Sequence, residues 1–355
     1  MPAFCKENLA EVTFKVEIIK AAANRSGQRM YTPTPVNLIN SLEALSPARL
    51  SSYRHFFSPA SDQELYGIYC WNEVLSTNFM RLIGNVEITL RNKFHYYLSQ
   101  HVSRAQGAVY VGTPDSNDWY NHVGLRGKSL KKVQDLTHDS RFNPRTNQRV
   151  WTPKAVMPTA NQVVSNMTLG FWAPLLDLQL PWTTLIPQIF PKHRYASNAN
   201  HWRSSTNVGQ VYERLNRVRD IRNRVAHFEP LWKIRDIDEE VRNIRGVTPR
   251  VEFIAPTNEV EALDRLQMFY DRTVQLLHWL SPDRALDHRG TELHLKTCFL
   301  MTQNGLDRYK RGETTQSYRT SSLTKSWGAK LMVKDRRPME LMHKGQVIGV
   351  FYPTP

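Results

Sequence analysis

Apolar side chains recur at helical spacing in several long stretches of the chain, which predicts a mainly α-helical protein. The clearest stretches are 64–80, 79–97, 211–228 and 259–280. In the stretch 211–228 the apolar residues return every three or four positions, and Pro230 follows shortly after it. This spacing is typical of a helix with one buried face, and the proline predicts the helix end. The first two stretches overlap, so they form either one bent helix or two helices.

Two segments lack this helical pattern. Residues 102–160 are rich in Gly, Pro, Asn and Trp and carry nine basic residues against four acidic ones. Residues 283–355 carry thirteen basic residues against seven acidic ones, and their last part favours a small β-hairpin turning at Lys344-Gly345. We interpret 102–160 as a basic, loop-rich insert within a helical domain 36–282, and 283–355 as a basic C-terminal extension. Residues 1–35 are interpreted as an N-terminal arm and linker.

The charge of the chain changes this picture more than its composition does. The 355 residues include 47 Lys and Arg against 32 Asp and Glu, a formal net charge of +15, and 41% are hydrophobic. Such a chain can build a core, and its excess charge favours a polyanionic partner without choosing between DNA, RNA and anionic lipid. No stretch reads as a signal peptide or membrane span. Three distant cysteines fit a reduced, cytoplasmic setting.

Motifs of the common enzyme classes are missing from the sequence. It contains no GxxxxGK[ST], GxGxxG, HExxH, GxSxG or EF-hand spacing, and no pair of cysteines spaced as zinc ligands. Nucleotide hydrolysis, dinucleotide binding, zinc proteolysis, serine hydrolysis and calcium binding therefore have no support in the motifs. We expect no cofactor and no metal site.

The strongest chemical signal is the run RNRVAH, which places Arg222, Asn223 and His227 near the end of a predicted helix. A histidine that titrates near neutral pH can exchange a proton with a ribose 2′-OH, while an arginine holds the phosphate. Attack by the 2′-OH needs no metal and leaves a 2′,3′-cyclic phosphate. Because similar spacing occurs four more times, spacing alone is not specific; these sites are Arg49/His55, Arg272/His278, Arg289/His294 and Arg337/His343.

The context of the first site distinguishes it from the other four. Only here does an amide follow the arginine directly, on a helix with a dense polar face opposite an apolar one. On an ideal helix Arg222 lies about 140° from His227, so the arginine must reach around the helix or the last turn must unwind. Pro230 is expected to loosen that turn. The competing interpretation is a surface helix whose Arg and His are merely solvated.

Several separated segments resemble the Abi-like (AbiD/AbiF-type) abortive-infection proteins, whose core resembles a HEPN domain. The matching segments are SSYRHF at 51–56, LYGIYCW at 65–71, NVEITLRN at 85–92, VVSNMTLGFWAPLL at 163–176 and VRDIRNRVAHFEPL at 218–231. The resemblance implies a helical bundle and a metal-independent endoribonuclease that works as a homodimer with one composite site. By this resemblance Arg222 is the motif arginine, Asn223 the polar residue after it, and His227 the motif histidine.

The same resemblance implies supporting residues. Glu87, Arg91 and Asn92 match the family's E-x-x-LRN stretch, where they either take part in the site or brace it, and we favour bracing. Trp71 and the pair Phe171-Trp172 are interpreted as core aromatics.

RNA contacts are expected from basic residues, namely Arg219, Arg224, Lys128, Lys131 and Lys132. Aromatic residues interleaved with the basic ones offer stacking faces for bases, and these are Trp119, Tyr120, Trp151, Tyr309, Tyr318 and Trp327. The alternative is that these rings attach their loops to the core.

Together these features predict a toxin-like endoribonuclease of bacterial anti-phage defence whose substrate is RNA. Because a cytotoxic ribonuclease needs restraint, an antitoxin is expected, either a structured RNA or a protein. The alternative function is a non-catalytic RNA-binding or scaffold protein that uses the same basic surface. A DNA-binding regulator has less support, since the sequence contains no helix-turn-helix motif.

Overall fold

The computed structural model describes residues 35, 37–243, 248–312, 339–344 and 346–351, and these are mainly helical. The helices are α1 Leu38–Leu45, α2 Pro47–Phe57, α3 Asp62–Ser103, α4 Gly127–Thr137, α5 Ala160–Ser165, α6 Trp182–Ile189, α7 Ser205–Ala226, α8 Glu259–Leu280, α9 Pro282–Arg289, α10 Glu292–Leu300 and α11 Gln303–Lys310. Almost all of the N-terminal arm lies outside the described residues. The predicted mainly α-helical fold is confirmed.

The strands of the described chain form small antiparallel pairs. They are β1 Gly112–Thr113 with β2 Ser116–Asn117, β3 His138–Asn143 with β4 Gln148–Pro153, β5 Ile237–Asp238 with β6 Val251–Phe253, and β7 Met339–His343 with β8 Gln346–Phe351. The last pair confirms the C-terminal hairpin, and Lys344 in its turn has a φ of 49°. A left-handed residue at this position is typical of a tight hairpin turn.

The two overlapping apolar stretches form one continuous helix, α3, of 42 residues. Its apolar positions are buried along most of its length, from Leu65 to Leu98. Helix α2 begins as its sequence predicts, because Ser46 Oγ accepts a hydrogen bond from the N–H of Arg49 and Pro47 occupies the first turn.

The insert and the extension contain more regular structure than their sequences predict. The insert 102–160 forms helix α4 and the strand pair β3–β4. The extension begins with α9, α10 and α11. These helices are too short to show a clear helical period in the sequence, and packing of buried side chains such as Leu300 and Leu306 stabilises them. The stretch 161–176 breaks into α5 and short 3₁₀ segments near Gly170 and Pro174.

The chain divides into two compact units, which share α3 and α8 along the sequence. The first comprises residues 1–78, 257–267 and 289–355, and the second comprises 79–256 and 268–288. In the first unit, Trp71 Nε1 donates to the carbonyl oxygen of Leu300 at 2.8 Å. Gly67 lies so close to the carbonyl of Tyr309 that a β-carbon would overlap it.

The core of the second unit is a cluster of aromatic rings. The ring of Phe94 lies 5.5 Å from Trp172 and 6.2 Å from Phe190, and Trp119 lies 6.5 Å from Trp172. All four side chains are completely buried. This core supports α7, which carries the candidate site. Within the described ranges, no helix combines the length and the apolar character needed to cross a membrane.

Candidate active site

Helix α7 is held in the second unit by one apolar face. Its buried apolar side chains return at helical spacing, as predicted, and are Val208, Val211, Leu215, Val218, Ile221 and Val225. The helix ends at Ala226, two residues before the predicted limit. The opposite face is polar, so the residues of the candidate site lie on the solvent side of a well-anchored helix.

The C-terminal end of α7 is closed by a regular capping motif. His227 is the C-cap, and Phe228 follows with a left-handed φ of 52°. The N–H of Phe228 donates to the carbonyl of Val225 at 3.1 Å, and the N–H of Glu229 donates to Arg224 at 2.9 Å. These two bonds form a Schellman motif. The expectation that Pro230 loosens this turn is therefore wrong, because the proline lies beyond the closing bonds.

The three residues with predicted catalytic roles lie together at this end of the helix. Asn223 and His227 are exposed, and Arg222 is half-buried. Arg222 Nη1 donates to Asn223 Oδ1 at 3.5 Å, so the amide contacts the guanidinium. Since the turn is intact, Arg222 and His227 keep their helical separation, and a phosphate between them requires the long arginine side chain to bend toward it.

The other Arg–His pairs of similar spacing have different surroundings. Arg272 is paired with Glu252 at 2.5 Å and with Glu240 at 3.4 Å. His294 is partly buried, and desolvation lowers its pKa. Arg337 lies outside the described residues. Structural context therefore favours the α7 site over Arg272/His278 and Arg289/His294. Arg49 and His55 are both exposed on α2, and the lack of an amide after Arg49 is what distinguishes that pair from the α7 site.

Glu87 and Arg91 of α3 support the segment that faces α7. Glu87 Oε1 accepts a hydrogen bond from the N–H of Leu169 at 2.9 Å, and Arg91 donates to the carbonyl of Ser165 at 3.0 Å. Next to Leu169, a β-carbon on Gly170 would come within 3.2 Å of the Arg219 side chain, which shows how closely α7 packs there. These contacts are structural supports. Asn92, by contrast, is exposed.

The basic residues predicted to contact RNA fall into two groups. On α7, Arg219 pairs with Asp220 at 2.9 Å and Arg224 pairs with Glu229 at 3.4 Å, which offsets part of their charge. On α4, by contrast, two of the three lysines are exposed and Lys132 is half-buried; the exposed ones are Lys128 and Lys131.

The aromatic residues of the insert do not all reach solvent. Trp119 and Tyr120 are buried, and Trp119 Nε1 donates to His95 Nδ1 at 2.9 Å. They cannot act as stacking faces for bases, because they pack inside the second unit. Trp151 is only half-buried, and so is Tyr309.

Other predicted aromatic roles have equally clear outcomes. The prediction of core aromatics is confirmed for Trp71, Phe171 and Trp172. Tyr318 and Trp327 lie outside the described residues.

Sequence reasoning missed a buried network around Arg214, eight residues before Arg222 on α7. Arg214 pairs with Glu240 at 2.6 Å, donates to Gln275 at 2.8 Å, and stacks over Trp279 at 4.6 Å. His193 contacts the same tryptophan, with ring centroids 4.4 Å apart. The partners are distant in sequence, so no local signal marks this network.

The electrostatics of this network differ from those of the helix end. Burial, together with the positive charges of Arg194, His201 and Arg214, lowers the pKa of His193 to about 4. Within the described part of the chain, no group of three or more His, Cys, Asp or Glu side chains is arranged to hold a metal ion.

Comparison with known proteins identifies the family. No curated protein and no solved structure matches the chain at a significant level. A family model described as Abi-like protein matches residues 40–233, more than half of the chain and all of α7. The chain therefore belongs to the Abi-like protein family.

Proposed function

We propose that the protein is a metal-independent endoribonuclease of the HEPN type and an effector of anti-phage defence. Membership of the Abi-like family suggests a role in abortive-infection defence. The observation that supports the enzymatic part is the end of α7, where Arg222, Asn223 and His227 lie within about one and a half turns. Two of them are exposed on a helix whose other face is buried.

The proposed reaction uses the ribose of the substrate as its own nucleophile. His227 takes the proton of the 2′-OH, the 2′-oxygen forms a bond to the adjacent phosphorus, and the bond to the 5′-oxygen breaks. The products are a 2′,3′-cyclic phosphate and a 5′-hydroxyl. Arg222 balances the charge that develops on the phosphate, and Asn223 positions Arg222 through their shared hydrogen bond.

A homodimer would complete this site. The reaction needs one group to accept the 2′-OH proton and one to give a proton to the leaving 5′-oxygen. One α7 end supplies a single histidine, whereas two copies facing each other supply two. We therefore expect the active species to be a dimer with both His227 side chains in one cleft.

Cleavage of total RNA in the presence of EDTA tests this proposal. We expect wild-type protein to produce fragments ending in 2′,3′-cyclic phosphate. His227→Ala and Arg222→Ala should slow cleavage about 10²-fold or more, the usual contribution of general acid–base catalysis. The matched control is His55→Ala, which removes an exposed histidine from α2. A substrate with 2′-deoxyribose at the cut position should resist.

The second candidate function is a non-catalytic RNA-binding or scaffold protein, supported by the exposed lysines of α4. It predicts RNA binding without cleavage by the wild-type protein, and it also predicts that His227→Ala leaves every activity unchanged. Cleavage that His227→Ala abolishes while RNA binding persists rejects this alternative.

The proposed antitoxin is a structured RNA or a protein. The net charge of +15 favours RNA as the neutralising partner. Purification of the protein from its native cells in high salt tests this. A retained RNA of one defined sequence supports the RNA form, a retained protein supports the other, and a bare active enzyme contradicts both.

A further inference from the structure

The strand pair β3–β4 in the insert is open to solvent on both faces. Every residue in it is exposed or half-buried, and Phe142 is 60% exposed. A two-stranded pair gains its stability from burying a face against something else. An aromatic side chain exposed to water on such a pair contributes no hydrophobic stabilisation. Both faces of the strand pair are therefore accessible to a ligand.

The register of the pair brings an arginine and two aromatic rings to the same face. Phe142 pairs directly with Arg149, and Ser140 pairs with Trp151. Directly paired residues and residues two apart lie on one face, so these four side chains are together. Arg149 Nη1 donates to Ser140 Oγ at 3.2 Å, which holds the guanidinium over this face. We call these four residues the ribbon face.

The surroundings of the ribbon face are strongly basic. Residues 126–154 contain eight basic residues and two acidic ones. Helix α4 ends directly before β3 and carries exposed Lys128 and Lys131. A ligand that matches both the charge and the open rings has many phosphates and unpaired bases. Single-stranded nucleic acid has both, because its phosphates contact Arg and Lys while its bases stack on aromatic side chains.

We infer that the ribbon face binds single-stranded RNA by stacking bases on Phe142 and Trp151 and by pairing Arg149 with a phosphate. The choice of RNA rests on the proposed function. If the protein is a ribonuclease, the ribbon face binds the RNA substrate and the residues at the end of α7 cleave it. A duplex fits this surface less well, because its bases are already stacked on each other.

Fluorescence anisotropy with an uncleavable RNA tests the inference. The probe is a labelled 2′-O-methyl oligoadenosine of about twenty nucleotides, several stacking sites long, which has no free 2′-OH to react. We expect Phe142→Ser to weaken binding about tenfold and Arg149→Gln to weaken it about fivefold. Arg149→Gln should also lower the slope of log affinity against log salt by about 0.7, the value for one lost phosphate contact.

The opposite face of the same strand pair provides matched controls. Arg141 pairs with Val150 there, and the six residues of that face include no aromatic side chain. Arg141→Gln removes the same charge as Arg149→Gln, and Val150→Ser removes a similarly exposed apolar side chain as Phe142→Ser. Both controls should bind the probe within about twofold of wild type, as expected for residues outside the contact.

Two results would overturn the inference. One is wild-type affinity in Phe142→Ser and Arg149→Gln. The other is that these two variants lose self-association but still bind RNA. That result would show that the ribbon face is an interface between two copies of the protein. The nuclease proposal fails separately: if wild-type protein cuts no RNA but Phe142→Ser loses affinity for the probe, the ribbon face still binds RNA.

Discussion

Two arginines of helix α7, each with a histidine in its neighbourhood, have opposite surroundings. Arg214, with His193 close by, is buried, and its guanidinium is engaged by a carboxylate, an amide, a carbonyl and a tryptophan ring. Arg222 and His227, at the end of the helix, are open to solvent to different degrees. Burial and partners therefore decide whether these residue types stabilise the fold or face a ligand.

The buried neighbourhood is the stronger structural element. Burying two charges costs solvation energy unless they form a close ion pair with additional hydrogen bonds. Arg214 and Glu240 form such a pair at 2.6 Å, and Arg214 also donates hydrogen bonds to the carbonyl of Arg272 and to Gln275. The exposed end is closed by backbone bonds of the capping motif and by the solvent-exposed pair of Arg224 with Glu229. A substrate can therefore approach it without breaking an internal ion pair of Arg222.

The largest expected effect comes from removing Arg214. Arg214→Met should lower the free energy of unfolding by about 3 kcal/mol, because it leaves Glu240 without its closest partner. The control, Arg222→Met, should change stability by less than about 0.5 kcal/mol, as for other surface changes. Urea denaturation measures both. Equal losses in the two variants would contradict the distinction between the two neighbourhoods.

Acid should destabilise the buried neighbourhood through His193. Its pKa is about 4 in the folded protein and near 6.5 when unfolded, so the unfolded chain binds the proton first as pH falls. Stability should drop by about 2 kcal/mol between pH 7 and pH 5 from this group alone. His193→Asn keeps a hydrogen-bond acceptor for the N–H of Tyr195 but does not titrate. Its unfolding free energy should vary less with pH than that of wild type.

The capping motif offers a change of opposite sign. Phe228 has a left-handed φ of 52°, which costs a residue with a β-carbon about 1 kcal/mol relative to glycine. Phe228→Gly should therefore have an unfolding free energy about 1 kcal/mol above that of Phe228→Ala, which loses the same ring. Phe228→Ala is the reference because it retains the β-carbon at the left-handed φ. Thermal unfolding compares the two variants, and an equal response would show that the backbone conformation is not the cause.

The smallest effect is expected at the ion pair beside the site. Arg224 and Glu229 are 3.4 Å apart, and both side chains are substantially exposed. Arg224→Gln should change the unfolding free energy by less than about 0.5 kcal/mol because water screens the pair. A loss above 1 kcal/mol in urea denaturation would place this pair with the buried network.

Local patterns were sufficient to predict the main helices. The apolar spacing of 211–228 and 259–280 reflects one face turned to a core, so it is visible along the chain. The prediction of stacking faces failed at Trp119 and Tyr120, because composition does not record which way a ring points. The sequence did not predict helices α9 to α11 of the extension, because they are short and depend on tertiary packing for their stability.

The residue types at positions 222, 223 and 227 were enough to suggest phosphate chemistry, because proton transfer and charge neutralisation depend on side-chain identity. The helix end at Phe228 is closed by local backbone bonds. The exposure of the three residues and the buried pairing of Arg214 with Glu240 followed from contacts between residues far apart in sequence. Such contacts form only when the chain folds, since burial and hydrogen-bond partners are properties of the packed molecule.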